Sequence, residues 1–320
     1  MSLFIHIVWL LLSLVTFSTA ARDYSQMYSQ ETLQQAHQVY TPNVHGMLFS
    51  DIAGFLTNNE LTSLRRVNLL QPWYRANDPF EFASNPVTGD LLAPTLSVKF
   101  LDDLAIAVVW FERFHCDKKI VFDYIAALDF SHLKLPTPLQ ALGIPTNAYK
   151  LDHFVDDVSQ KILKSALTFI ILHELGHIHY RHRPYHTINS EQAIAQEIQA
   201  DHFAINILRR MRLPPTGMVV WFMATSMRDP LKEGSPQQTH PLTGQRLQAI
   251  VDALRLNPND FIEPANKATM TARDIRQLAN EIETIANGLA NPKLRSLLQK
   301  RGSEITLLPL ANNCKKPTKK

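Results

Sequence analysis

The segment His-Glu-Leu-Gly-His at residues 173–177 is the feature that most constrains how this chain can fold. His173 and His177 are four residues apart, so on a helix they lie about 40° apart around the axis and both imidazoles can reach one metal ion. Glu174 lies too far around the axis to join the ligands, but it is close enough to reach a water molecule on that metal. The pattern predicts a zinc site with Glu174 as the general base.

The residues before this segment, 162–172, are apolar almost all round the helix axis, which is typical of a helix buried at the centre of a domain. Asp156 or Asp157 offers an N-cap for this helix, and Pro184 predicts its end near His182. Burying two histidines and a glutamate at the end of such a helix is costly unless a bound metal satisfies them.

A catalytic zinc ion takes three protein ligands and leaves a position for water, so a further His, Asp or Glu is required. A second helix is predicted from a cap at Asn189 or Ser190 to about Met211, and Glu197 and Asp201 lie on its otherwise apolar face. Carboxylates are rarely buried unpaired. We therefore predict Glu197 as the third ligand and Asp201 as the acceptor that orients a ligand histidine. The alternative is two surface carboxylates on a loosely packed helix.

These residues resemble a known group of peptidases. HELGH is followed by Gln196 to Asp201, in the form E-x-x-A-D, and then by Thr239-His240-Pro241 with Arg246. This order resembles the gluzincin metallopeptidases typified by bacterial HtpX, the mitochondrial Oma-type protease and the CAAX prenyl protease, and it is similar to the phage-exclusion Lit peptidase. The resemblance covers about Leu163 to Ile250 and none of the first 150 residues.

The resemblance implies a zinc-dependent endopeptidase with Glu174 as base. The implied zinc ligands are His173, His177 and Glu197. By the same resemblance, His240 would face the metal across the cleft, either steadying the oxyanion or occupying the metal in a resting state, and Arg246 would hold that segment. The other interpretation of His240 is a capping or surface histidine. The chain lacks long apolar spans between these motifs, so an intramembrane active site is not expected.

We expect an α+β, mostly helical fold with a zincin-like core, in which the HExxH helix packs on a second ligand-bearing helix. Residues 21–150 are expected to form a loop-rich N-terminal part of the catalytic domain, with an edge strand at 95–100 beside the cleft that pairs with the substrate backbone. Residues 151–312 would form the zincin core and C-terminal helices, and 313–320 a basic tail. Further helices are predicted after Thr216, from Pro241, over Thr271–Ala286 and over Pro292–Lys300.

An apolar run at residues 3–17 is followed by small residues at Ser18 and Ala20. It is short for a membrane span and predicts a secretory signal peptide at 1–20, although no Lys or Arg precedes it. The expected location is therefore secreted or periplasmic, with no stable membrane span after signal removal. The alternative is a membrane anchor formed by an uncleaved N-terminus.

The formal net charge is +3, and basic residues are not gathered into a patch with aromatic residues, so no nucleic-acid partner is expected. Cys116 and Cys314 permit at most one disulfide, and because Cys314 falls in the predicted tail we expect both to be free. They fall at no metal-ligand spacing, so any metal must be held by His and carboxylate side chains. The other histidines are expected to be surface or core residues rather than ligands. They include His37, His45, His115, His132, His153, His179, His182, His186 and His202.

The leading hypothesis is a metalloendopeptidase with one Zn²⁺ ion that cleaves a protein or peptide substrate, using a metal-activated water with Glu174 as base. Two alternatives belong to other classes. One is a zinc hydrolase of a non-peptide substrate, and the other is a zinc-containing binding or scaffold protein without turnover. The intact Glu174 argues against the scaffold, because a structural site needs ligands and no base.

Overall fold

The computed structural model describes residues 23–74, 76–229, 240–263 and 270–314. The predicted signal peptide, Thr239 and the last six residues of the predicted basic tail lie outside these ranges. The fold is 66% helical with one three-stranded sheet, which confirms the prediction of a mostly helical α+β protein. Within the described ranges, no helix has both the length and the apolar composition needed to cross a bilayer.

Two long helices, α7 (His153–Tyr180) and α8 (Ser190–Met211), form the centre of the molecule, and nine shorter described helices and strands precede the first of them. The early helices and strands are α1 (Gln30–Gly46), α2 (Asn58–Leu64), β1 (Asn68–Leu70), β2 (Ala83–Asn85), β3 (Asp90–Leu92), α3 (Thr95–Arg113), α4 (Lys119–Phe130), α5 (Pro138–Ala141) and α6 (Ala148–Leu151). After α7 and α8 follow α9 (Thr216–Ser226), α10 (Gly244–Leu256), α11 (Ala272–Leu289) and α12 (Leu294–Ser303). A π-helical turn (Met47–Ile52) and short 3-10 turns at Ala53–Phe55, Tyr185–Thr187 and Pro258–Phe261 complete the described elements.

The central helix α7 begins earlier than the sequence predicted. Its N-cap is Asp152, whose carboxylate accepts the backbone N–H groups of Phe154 and Val155, and not Asp156 or Asp157. The helix ends at Tyr180 because Arg181 takes the left-handed conformation at φ 54°. The end predicted near His182 is therefore accurate to within two residues.

The helix α8 begins as predicted, with Asn189 as its cap: the Asn189 side chain accepts the Gln192 backbone N–H, and the Gln192 side chain accepts the Asn189 backbone N–H. The helix predicted from Pro241 instead begins at Gly244, because the Thr243 side chain accepts the backbone N–H of Arg246 and caps it there. Pro241 lies in the irregular segment before the cap.

The prediction of an edge strand at 95–100 is wrong. Thr95–Phe100 is the first part of α3, and Leu101 continues the same helix. The alternation of polar and apolar residues misled the prediction, since the polar positions are also buried: Ser97 donates to the Asp78 carbonyl, and the Thr95 hydroxyl contacts the His37 ring. A helix buried on every side carries no amphipathic period.

The sheet lies elsewhere, in the order β1-β3-β2. β1 runs parallel to β3 with Asn68 opposite Asp90, and β2 runs antiparallel to β3 with Asn85 opposite Asp90. A turn at 85–90 joins β2 to β3. Among the described strands β2 pairs on one side only, and its other side lies against α7.

Two apolar clusters form the core. One surrounds α7 and includes side chains of α8, α10 and α11 together with Leu48, Leu64 and Leu91 from the N-terminal part of the chain. The other lies around α3 and α4. Residues of the first 150 therefore pack into the same core as the two central helices.

The prediction that both cysteines are free is wrong, because Cys116 and Cys314 form a disulfide. The segment before Cys314 is held on the body of the protein: the Leu310 backbone N–H donates to the Ala141 carbonyl, and the Asn312 side chain donates to the Leu142 carbonyl. The sequence does not reveal this packing, since the two cysteines are 198 residues apart.

Candidate metal centre

The two helices that carry the motifs approach closely where each motif has a small residue. A Cβ atom added to Gly176 of α7 would lie 3.1 Å from the Ala200 Cα and 3.2 Å from the Phe203 Cβ of α8. The glycine of HELGH and the alanine of E-x-x-A-D therefore allow the helix axes to come together. This contact brings the polar side chains of both motifs to one place.

Donor atoms from four predicted residues converge there. In the described ranges, His173, His177, Glu197 and His240 are the residues whose ligand atoms lie close enough together to hold one metal ion. The Nε2 atoms of His173 and His177 are 3.0 Å apart, and the Glu197 carboxylate oxygens lie 3.4 Å and 3.2 Å from them.

These spacings fit a metal ion. Ligand atoms at about 2.0–2.1 Å from one tetrahedral zinc ion lie about 3.3–3.4 Å from one another. The three observed separations are close to that value. Glu197 Oε2 is fully buried between His173 Nε2, at 3.4 Å, and Arg246 Nη1, at 2.6 Å.

The buried charges also fit a divalent cation. Glu174, Glu197 and Asp201 are almost fully buried, and Arg246 is the described cation with a permanent charge that contacts Glu197 and Asp201. Burial raises the pKa of each carboxyl group. Arg246 counteracts this effect for Glu197 and Asp201, and His240 counteracts it for Glu174, so that all three pKa values lie below their ordinary range. With the histidines neutral, as metal ligands require, three ionised carboxylates and one guanidinium leave a net charge of −2. A Zn²⁺ ion would neutralise it.

His173 is oriented by Asp201, as predicted for these two positions. The His173 Nδ1 lies 2.8 Å from Asp201 Oδ1, so Nδ1–H donates and the Nε2 lone pair faces the other donor atoms. Burial lowers the pKa of His173, but the Glu197 and Asp201 carboxylates raise it to about 9. The site around this imidazole therefore favours positive charge.

Arg246 braces both carboxylates of α8. Its Nε and Nη2 atoms donate to Asp201, and Nη1 lies beside Glu197 Oε2. Because Arg246 is the third residue of α10, which Thr243 caps, it fixes the start of α10 against α8. The structure thus places Arg246 on the carboxylates, close to the chain segment that carries His240.

Glu174 lies beside the ligand atoms without being one of them. Its Oε2 accepts a hydrogen bond from the Ser84 hydroxyl on β2 at 2.7 Å, and its Oε1 lies 3.4 Å from His240 Nε2. His240 bridges the site, since its Nδ1 lies 3.1 Å from Glu197 Oε1. His240 is therefore close both to the base and to the ligand set.

Three residues at this site were not predicted: Ser84, Tyr185 and His182. The Tyr185 hydroxyl donates to Glu197 Oε1, and the His182 Nδ1 lies 2.7 Å from His177 Nδ1. His182 was expected to be a surface or core histidine rather than a ligand, and it is a buried residue that contacts a predicted ligand. No motif could have found it, because it follows the left-handed Arg181, where helical spacing no longer applies.

Two pockets meet at the site. The first lies beside His173 and Glu174 and is mainly apolar; its apolar lining is Phe80, Phe82, Phe169, Trp221, Phe222 and Leu242. The second lies between β2 and the segment 182–186, next to His177. His240 lines both pockets, so the ligand cluster lies between them.

Residues 135–266 match the family described as peptidase U49, a peptidase family of the Lit type. The matched range contains all seven site residues predicted from the sequence and covers less than half of the chain. The match supports similarity to a metallopeptidase-type family and gives no specific support for HtpX or the CAAX prenyl protease. Neither a curated protein nor a solved structure matches the chain significantly.

Proposed function

We propose that the protein is a zinc-dependent metalloendopeptidase. The observation that carries this proposal is the convergence of the His173, His177 and Glu197 ligand atoms at tetrahedral spacing, with a buried carboxylate beside them that is not a ligand. The similarity of residues 135–266 to a peptidase family supports hydrolysis of peptide bonds.

His173, His177 and Glu197 would hold the zinc ion. Zinc bound there would polarise the scissile carbonyl and increase the acidity of a water molecule. Glu174 would take a proton from the attacking water molecule and pass it to the leaving amine. It is able to accept this proton because it stays ionised: burial raises its pKa, but the His240 ring holds the pKa of Glu174 below the ordinary value. The Ser84 hydroxyl fixes the orientation of this carboxylate.

His240 has two roles that agree with its position. A ring N–H near the reacting carbonyl would stabilise the developing oxyanion. Alternatively, Nδ1 would act as a fourth ligand atom in a resting state, since it lies 3.1 Å from Glu197 Oε1 and 3.5 Å from His173 Nε2. Both roles agree with a ring that lies close to Glu174 and to the ligand set.

The substrate would lie along β2 rather than along residues 95–100. The unpaired side of β2 faces α7, and Ser84 on this strand contacts the base, so a peptide added there would pass the reacting groups. Because pockets lie on both sides of the ligand cluster, the substrate polypeptide would extend on both sides of the cleaved bond, as it does in an endopeptidase. The aromatic lining of the first pocket suits an apolar substrate side chain.

We also propose that the protein acts in a secreted or periplasmic location. The Cys116–Cys314 disulfide supports an oxidising compartment, in which such bonds persist. The apolar run at 3–17 agrees with a signal peptide that ends at Ala20. N-terminal sequencing of the protein from the extracytoplasmic fraction should give Ala21, and a start at Met1 in the cytoplasmic fraction would contradict this location.

Removal and return of the metal tests the proposed activity. The purified protein should cleave casein, lose cleavage after treatment with a chelator and dialysis, and regain it when about one equivalent of zinc is added. Cleavage that survives complete removal of the metal would contradict the proposal. A protein that binds zinc tightly yet cleaves no protein or peptide would belong to one of the other zinc-protein classes.

A further inference from the structure

We propose that His182 is a positioning residue that fixes the tautomer of His177, so that the His177 Nε2 lone pair faces the other ligand atoms. The inference rests on the proposed zinc centre. It assigns a role to a residue outside HELGH and E-x-x-A-D, and it adds Gln199 as the residue that orients His182.

The contact between the two histidines is close and well enclosed. Their Nδ1 atoms are 2.7 Å apart, and the ring planes are inclined at 76°. His182 is 7% exposed, and its backbone N–H donates to the His177 carbonyl at 3.1 Å. The backbone bond and the left-handed Arg181 hold the His182 ring directly against the side of His177 that points away from the ligand cluster.

Two ring nitrogens at this distance must form one hydrogen bond, with one donor and one acceptor. On its far side, His182 Nε2 lies 3.0 Å from Gln199 Oε1. A carbonyl oxygen only accepts, so the Nε2 of His182 carries the hydrogen. In a neutral imidazole the other nitrogen is then an acceptor. His177 Nδ1 must therefore donate, which leaves its Nε2 without a hydrogen and free to bind a metal.

The opposite orientation would disable the site. If the Gln199 amide group donated to His182, then His182 Nδ1–H would donate to His177 and put the hydrogen of His177 on Nε2. That hydrogen would point at His173 Nε2, 3.0 Å away, and would exclude a cation. The direction of the relay from His177 through His182 to Gln199 thus decides whether His177 can be a ligand.

The two ligand histidines receive different partners. His173 donates to a carboxylate that Arg246 also holds, whereas His177 donates to a neutral ring on the chain that follows α7. Gln199 is an exposed residue of α8, so a water molecule could replace part of its effect. We therefore expect His182 to matter more than Gln199.

Zinc affinity of a matched set of variants tests the inference. In His182→Asn the side-chain Oδ1 is bonded to Cγ, as Nδ1 is in histidine, so this variant keeps a hydrogen-bond acceptor for His177. His182→Leu removes the acceptor. Measured by competition with a chromophoric chelator, His182→Leu should bind zinc about 10- to 100-fold more weakly than the unchanged protein. His182→Asn should stay within about threefold, because its acceptor preserves the hydrogen bond. His202→Leu, at an exposed position of α8, is the control and should bind normally.

The Gln199 variants test the direction of the relay. Gln199→Glu can only accept at that position, so it should bind zinc as well as the unchanged protein does. Gln199→Leu should lose only a few-fold in affinity, because water can replace the lost acceptor. A large loss in Gln199→Glu would mean that the amide donates, and it would overturn the inference.

Nuclear magnetic resonance of the metal-free protein provides a test that needs no enzymatic activity and can be made on the unchanged protein alone. The ring ¹⁵N signals of His177 should show hydrogen on Nδ1 in the unchanged protein and in His182→Asn. Hydrogen on Nε2 in the unchanged protein, or unchanged zinc affinity in folded His182→Leu, would overturn the role of His182. If the unchanged protein binds no zinc, the proposed function fails, and the inference fails with it.

Discussion

Glu197 and Asp201 lie one helical turn apart on α8 but contact different groups. Glu197 lies beside the Nε2 atoms of both HELGH histidines, whereas Asp201 contacts His173 on the opposite nitrogen. Under the proposed function, equal burial therefore conceals two different roles. A change at Glu197 would remove a ligand atom, while a change at Asp201 would leave the ligand atoms in place and loosen one ring.

Zinc titration of Glu197→Gln and Asp201→Asn separates these functions. Glu197→Gln should retain little zinc at ordinary concentrations, and added zinc should restore little activity. Asp201→Asn should lose about 10- to 100-fold in metal affinity or activity and should recover substantially in excess zinc. Equal losses, or the reverse order, would mean that the two assignments are exchanged.

Residues that belong to a motif could be assigned to the candidate site from the sequence. Residues that reach the site only through tertiary packing could not. Regular helical spacing placed the HELGH and E-x-x-A-D residues on facing helices, and His240 was identified only by resemblance. Ser84, His182 and Tyr185 reach the site from a strand edge, a helix end and a loop. Their approach depends on tertiary packing, which no local pattern encodes.

Among the helices, α7 makes the contacts on which the rest of the fold depends. α9 packs so closely on it that a Cβ atom added to Gly217 would lie 2.2 Å from the Ile162 carbonyl oxygen and 2.3 Å from the Ala166 backbone nitrogen. Backbone atoms cannot move aside as a flexible side chain could. The glycine at the start of α9 is therefore required by this contact.

Two glycine substitutions test the packing of α9 on α7. Gly217→Ala should lower the free energy of unfolding by about 1–3 kcal/mol or more, because the added methyl group overlaps the backbone of α7. Gly288→Ala in α11 is the matched control: its added methyl group meets no atom within 4 Å, so stability should stay the same or rise slightly. Urea denaturation measures both. An equally stable Gly217→Ala protein would show that α9 does not pack on α7 in this way.

The helices were predicted well where a capping residue marks the helix start, as at Asn189, and poorly where burial on all sides removed the periodic pattern. α3 is the clear case: its first turns are buried on all sides, and a short stretch of alternating side chains suggested a strand. The strand beside the base, β2, has three residues, too few to give a detectable period.

Over the whole molecule, the C-terminal segment ties distant parts of the chain together. Ile305, Leu308 and Leu310 pack against the cluster around α3 and α4, and the disulfide attaches Cys314 to the end of α3 through Cys116. The sequence could not predict this closure, because a polar tail follows Cys314 and the pairing spans most of the chain.

Loss of the disulfide should destabilise the protein more than it affects the metal site. The Cys116→Ser/Cys314→Ser double variant should lose about 2–4 kcal/mol of unfolding free energy, since a crosslink over a long loop restricts the unfolded chain. Zinc affinity should remain unchanged, because neither cysteine contacts the ligand cluster. Urea denaturation with and without reductant checks this: reductant should destabilise the unchanged protein and leave the double variant unaffected. Equal effects of reductant on both would contradict a Cys116–Cys314 bond.

The central claim is that Glu174 is the base of a zinc peptidase and not one of its ligands. The most direct measurement compares zinc content and peptide cleavage in Glu174→Gln and in the unchanged protein. Because Gln keeps the shape of the side chain and its contact with Ser84, the variant should fold, bind one equivalent of zinc and lose nearly all turnover. Normal cleavage by the zinc-loaded variant would contradict the claim, and so would loss of the metal together with the activity.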